Sequence, residues 1–180
     1  MASVRLGDKP IGSVVKLGFD GSKQEFIVVH HGKPSNLYDN SCQGVWLLKR
    51  YSYKSIRWDK NGINDYENSS IHALLNSETL NLFDEDIKSH IKQIKIPYRP
   101  GSGNNPEIES GSKGLLTSIF LLSIREIGIT ETDISYAVCK DGEVLDWFKD
   151  KGKRILKKGT TALEWWLRSP NLEYENNVYA

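Results

Sequence analysis

"ALEWWLRSPN", residues 162–171, sets two adjacent tryptophans ahead of a single arginine and a Ser-Pro stop. Read as an extended strand over 163–169, it puts Trp165 and Leu167 on one face and Trp166 and Arg168 on the other. If both faces are covered, Arg168 enters the core and needs a carboxylate, because an unpaired buried charge costs several kcal/mol. Glu126, Asp146 and Glu164 are the candidates, and Glu126 is favoured because it closely follows the most apolar run of the chain. The Trp166 and Arg168 face then reads as structural, with Glu126 as counter-charge. If only one face is covered, one tryptophan is exposed and suits ligand contact. Pro170 lacks a backbone donor and should end the pairing.

Working outward, "LLTSIFLLS" (115–123) is that most apolar run and reads as a buried central strand. "GSVVKL" and "EFIVVHH" are rich in β-branched residues and flank Asp20-Gly21, a hairpin signal; "GVWLLKR" (44–50) is a third strand. Asn68 or Ser69 can cap a short helix carrying Ile71, Leu74 and Leu75, and further helices are expected over 77–83 and 84–94. "IKIPYRP" (94–100) reads as a strand running into the polar loop "GSGNNPEIESGSKG". One or two short helices are expected over 142–158, with Leu145, Phe148 and Ile155 inward, and a last strand starts at "NNVYA" (176–180). The fold class is therefore α+β, one domain over residues 1–180, with short, mostly antiparallel strands, short helices and long loops.

Composition limits the function. Lys plus Arg is 24 against 23 acidic residues, so net charge gives no pull toward nucleic acid or a membrane surface. No apolar run approaches the ~20 residues of a membrane span, and "MASVRLGDKP" lacks the regions of a signal peptide, which points to synthesis in the cytoplasm. Cys42 and Cys139 fit reduced core thiols. The basic cluster "KDKGKRILKK" (149–158) reads as a solvated helix end, with an anion site as the alternative.

Catalytic patterns are weak. His30 and His31 are strand neighbours that point to opposite faces, and His72 and His90 have no i, i+4 partner, so no histidine metal site is expected. Calcium stays open, since "NDYEN" and "NLEYENN" carry oxygen ligands, though neither has the spacing of a calcium loop. Cys139 reads as a small apolar residue at a strand end. There is no Gly-x-Ser-x-Gly, Walker or dinucleotide motif, and Asp84 and Asp86 are explained by a helix start. No cofactor is implied. "NLEYENN", beyond Pro170, mixes Tyr and Asn as adaptable binding loops do. The candidate ligand contacts are Trp165, Asn171, Tyr174, Asn176, Asn177 and Tyr179.

"WWLRSPN" followed by "NNV", with "FLLSIREIG" and "IKIPYRPG" upstream, resembles a domain of unknown function of Firmicutes and their phages that carries a Trp-Leu-Arg-Ser-Pro signature (DUF6273-like). "VRLGDKPIGSVVKL" and "FIVVHHGKPS" resemble the opening of its phage-encoded members. That family is similar to C-type-lectin-like phage adhesin domains. The resemblance implies a non-enzymatic virion structural protein, made in the host cytoplasm. It would be a tail fibre, baseplate or capsid-surface module for host or glycan attachment or for particle decoration. Its implied partners are other virion proteins, a host surface glycan or protein, and further copies of itself. A cell-wall glycan hydrolase and a secreted bacterial surface-binding domain are the alternatives. Members usually continue past "NNV" to further strands, so an end at Ala180 would leave an edge open to intermolecular pairing or a disordered tail.

Overall fold

The computed structural model describes residues 5–101, 107–134, 137–158, 160–172 and 178, the side chains of 156–158 excepted. The architecture is α+β, and every strand pair among the described residues is antiparallel. Strand β1 (Val14–Phe19) and strand β2 (Ser22–His31) form the hairpin, with Val14 opposite Ile27 and Phe19 opposite Ser22. Asp20 and Gly21 carry left-handed φ angles of 52° and 68°, as a two-residue turn matched to the strand twist requires.

Strand β3 (Val45–Lys49) pairs with the far side of β2. Their register shifts between Val28 and His30, and this bulge lets Val28, Val29 and His30 be buried in succession. Helix α1 (Ser70–Leu74) begins where Ser69 Oγ accepts the His72 N–H at 3.2 Å, and it runs on through a π turn (Leu75–Thr79) and a 3-10 turn (Leu80–Leu82). Helix α2 (Glu85–Lys88) is a single turn rather than the helix expected over 84–94. Ser89 Oγ and His90 Nδ1 both engage the Asp86 carbonyl, the acceptor a continuing helix would need.

Strand β4 (Ile94–Ile96) pairs with strand β5 (Leu115–Thr117), and strands β6 (Leu156–Lys158) and β7 (Thr161–Leu163) close a second hairpin. The apolar run 115–123 is thus a strand only to Thr117. Beyond it, distant side chains take the backbone donors. Ser118 N and Ile119 N donate to Asn76 Oδ1 at 2.8 and 3.2 Å, and Leu121 N to the Tyr66 hydroxyl at 2.9 Å. Ser123 N donates to Glu126 Oε2 and Ile124 N to Ser169 Oγ, both at 2.9 Å. A buried segment must place its N–H groups somewhere, and here side chains replace a sheet neighbour.

The signature segment behaves alike. It is a strand only to Leu163, not over 163–169. Arg168 N donates to Leu122 O at 2.9 Å, and Leu167 O accepts from the Trp58 indole at 3.0 Å. Pro170 still makes an isolated antiparallel bridge, to Val178, because a proline carbonyl can accept. The rest of the strand expected over 176–180 lies outside the described residues.

Leu145 and Phe148 are buried, whereas Ile155, expected inward, is 58% exposed after the 3-10 turns Asp146–Lys149 and Lys151–Arg154. The core gathers Tyr38, Trp46, Trp58, Tyr66, Ile96, Leu115, Leu122 and Leu167 into one cluster. No described helix is long and apolar enough to cross a membrane.

Candidate binding surface and the polar core beneath it

A fully buried ion pair lies at the centre of the molecule. Arg168 Nη1 donates to Glu126 Oε2 at 2.6 Å and Nη2 to Oε1 at 2.8 Å, a bidentate fork with both side chains inaccessible. The remaining acceptor positions of Glu126 take the Tyr38 hydroxyl at 2.7 Å and Ser123 N at 2.9 Å. Arg168 also donates to three carbonyls: Leu121 at 2.9 Å, Pro97 at 3.1 Å and Asp141 at 3.0 Å. Burial alone would weaken its charge, but Glu126 outweighs that and holds the guanidinium above its ordinary range. One side chain thereby ties four separated parts of the chain together.

Beside the pair, Ser169 Oγ donates to the Asp141 carboxylate (2.8 and 2.9 Å to its two oxygens) and accepts from Ile124 N. Burial raises the Asp141 pKa to about 6. Burial likewise raises the Cys42 thiol to about 11 and Cys139 further, so both stay protonated near neutrality. His30 is buried with Nδ1 2.7 Å from Asp146 Oδ2, and desolvation holds its pKa down against that carboxylate. Among the described residues no three His, Cys, Asp or Glu side chains converge as metal ligands.

The signature segment divides at Leu167. Leu167, Arg168, Ser169 and Pro170 are buried one after another. The two tryptophans differ in exposure. Trp165, expected at a ligand, is half-buried against the core, stacked on Phe148 with centroids 6.3 Å apart, its indole donating to Arg154 O. Trp166, expected as cement, is 36% exposed, and its indole donates to Ile56 O at 2.9 Å. Alternation holds from Leu163 to Leu167, with Leu163, Trp165 and Leu167 turned inward and Glu164 and Trp166 outward, and it breaks at Arg168, which is buried next to Leu167. Asn171 is half-buried and engaged. Tyr174, Asn176, Asn177 and Tyr179 lie outside the described residues.

Phe148, which Trp165 stacks on, forms part of the floor of an open depression of about 270 Å³. Val144 and Gly128 continue the floor, and Arg125, Thr130, Glu143 and Arg154 line it with polar groups. Lys149 and Lys151 reach it from the basic cluster. Arg154 is fixed there, Nε donating to Ile127 O at 2.8 Å and Nη2 to Gly128 O. This constellation is not legible in the sequence. The basic cluster signals its lysines and Arg154, but Arg125 and Glu143 have no local mark. Tyr38 and Asp141 in the core escape sequence reasoning for the same reason.

Neither a curated protein nor a solved structure matches the chain. A family model does match, over residues 43–180, a span that takes in Arg168, Glu126 and the depression. With well over half its length matched, the chain belongs to the family described as the domain of unknown function DUF6273.

Proposed function

We propose that this chain is a non-enzymatic binding module, a phage virion structural protein that attaches to a host surface or decorates the particle. The observation that carries the reading is the division of the signature segment. Its polar residues are spent inside the fold, while Trp166 stands at the surface on a backbone that those residues make rigid. A rigid aromatic offers contact area at low entropic cost. Glu126 and Asp141 are fully buried, so neither faces a cleft where glycan hydrolysis would need a carboxylate. The sequence resemblance to phage-encoded members supports the virion setting, and the segment beyond Pro170, with Asn171 and Tyr174, is proposed to extend the contact surface.

A C-type-lectin-like topology is part of the same proposal, supported by the short antiparallel strands and the long irregular segments packed between them. The test is particle purification by density gradient from a strain carrying the gene, with the chain quantified by mass spectrometry. Many copies per particle are expected, together with cell binding by the isolated chain that weakens on Trp166→Ala or Tyr174→Ala. Absence from purified particles, or hydrolysis of host cell wall by the chain, would overturn the reading.

A further inference from the structure

We propose that the depression lined by Arg125 and Arg154 takes an anionic oxygen group, a carboxylate or a phosphate, borne on a ligand the size of one sugar ring. This rests on the binding-module reading above and names the ligand class for one of its surfaces. Four cations line the depression, Arg125, Lys149, Lys151 and Arg154, against one carboxylate, Glu143.

Neighbouring acids offset that charge unevenly. Lys149 lies 2.6 Å from Asp146 and Lys151 2.5 Å from Asp133, so both lysines are closely paired. The two arginines are held more loosely. Arg125 Nη1 donates to Glu131 at 3.5 Å, a long bond, and Arg154 Nη1 lies 3.7 Å from Asp133. Asp133 is itself committed to Lys151 and to Thr130 N, and these hold its pKa down at about 2. Among the described residues, the carboxylate that each Nη1 meets is therefore a distant one.

Arg154 is also preorganised. Its Nε and Nη2 bonds to Ile127 O and Gly128 O fix the plane and present Nη1 at a set angle, and its side chain is only 17% exposed. A fixed, partly desolvated guanidinium binds a planar or tetrahedral oxyanion with little ordering cost. Glu143 accepts from its own neighbour, Val144 N, at 3.3 Å, and it can also take a ligand hydroxyl. Val144 gives the floor an apolar contact for a ring, while Phe148, which also lines it, is buried. A volume of about 270 Å³ admits one ring rather than a chain of them.

The experiment is calorimetric titration of the full chain at low salt with glucuronate, glucose 6-phosphate and glucose. Binding of either anion roughly tenfold tighter than glucose is expected, falling roughly tenfold in Arg125→Gln. Glucuronate alone would assign a carboxylate, and the sugar phosphate alone a phosphate. Arg154→Lys serves as second variant, with a thermal melt to confirm that it folds, and a loss of similar size is expected. Glucose binding as tightly as both anions, or anion affinity unchanged in Arg125→Gln, would overturn the proposal. If neither anion binds while the chain still attaches to host cells, the anion site fails and the module reading stands. Anion binding without attachment to cells or particles would do the opposite, upholding the anion site and removing the virion-module reading.

Discussion

Replacing Glu126 by glutamine keeps its shape and removes its charge, which isolates what the buried pair does. Each carboxylate oxygen accepts two bonds: Oε1 from Arg168 Nη2 and the Tyr38 hydroxyl, Oε2 from Arg168 Nη1 and Ser123 N. A glutamine amide offers one oxygen and one NH2 group. Whichever way it is turned, the NH2 faces an Arg168 donor and either Tyr38 or Ser123 N. Arg168 keeps its charge at zero exposure and loses its counter-ion. Removing one partner of a buried pair costs about 3–5 kcal/mol. Against the roughly 5–15 kcal/mol that a domain holds in total, that is a large fraction. Urea unfolding followed by tryptophan fluorescence reads it well, because the Trp58 indole is bonded to Leu167 O next to the site. The melting temperature should fall by about 6–20 °C.

Exposed Glu164→Gln is the control and should stay within about 0.5 kcal/mol of wild type. A Glu126→Gln loss under about 1 kcal/mol at unchanged denaturant slope would mean that the buried pair does not hold the core together. Replacing the whole pair by apolar residues, Glu126→Leu with Arg168→Met, should not restore stability. Elsewhere such swaps can be neutral, but here they strand the carbonyls of Leu121, Pro97 and Asp141.

Asp141 gives a pH prediction. Its folded pKa of about 6 lies above the ordinary 3.8, so between those values the folded chain holds a proton that the unfolded chain has lost. Its contribution to stability therefore declines as pH rises through that window, by up to roughly 3 kcal/mol. Asp141→Asn should lack the decline, and its stability relative to wild type should rise between acid and neutral denaturation curves; parallel curves would count against it. Gly142→Ala should lose about 1–3 kcal/mol, because a Cβ there meets Ser123 Oγ, Glu126 Cγ at 3.0 Å and the Tyr38 hydroxyl at 3.1 Å. Gly7→Ala, whose Cβ meets nothing within 4 Å, is the matched control in the same unfolding assay. Tyr38→Phe should lose about 1–3 kcal/mol by stranding Glu143 N, which donates to that hydroxyl at 3.1 Å, and one acceptor site of Glu126.

What could be read from the sequence was local or electrostatic. Asp20-Gly21 between β-branched runs specifies a hairpin, and Ser69 ahead of an apolar period specifies a cap, because each signal acts over a few residues. The need of Arg168 for a buried carboxylate follows from desolvation alone, and Glu126 is the group beside it. The segment 115–123 could not be read correctly. Its apolar content reports burial, and burial does not by itself distinguish a strand from a packed irregular segment. The donors after Thr117 go to Asn76, Tyr66, Glu126 and Ser169, all but Glu126 more than forty residues away in the chain, and no local pattern encodes such partners. The signature segment shows the same limit one step later. Period-two alternation describes Leu163 to Leu167, with Trp166 outward, but it breaks at Arg168, whose burial is set by a carboxylate forty-two residues away.

The family match begins at residue 43, yet the physical unit begins earlier. β2 lies before the match and pairs with β3 inside it, Phe26 opposite Lys49 and His31 opposite Val45. His30 on β2 reaches Asp146 at 2.7 Å, and Gly12 N closes on Val28 O at 2.7 Å. Tyr38 also precedes the match, and its hydroxyl fills a site on Glu126 that nothing inside the match is seen to fill. A chain begun at residue 43 would leave β3 without a neighbour, expose Trp46, and remove one of the four donors from the central carboxylate. Residues 5–42 are therefore part of the same core as the signature. A fold boundary drawn by hydrogen-bond satisfaction rather than by sequence likeness includes them.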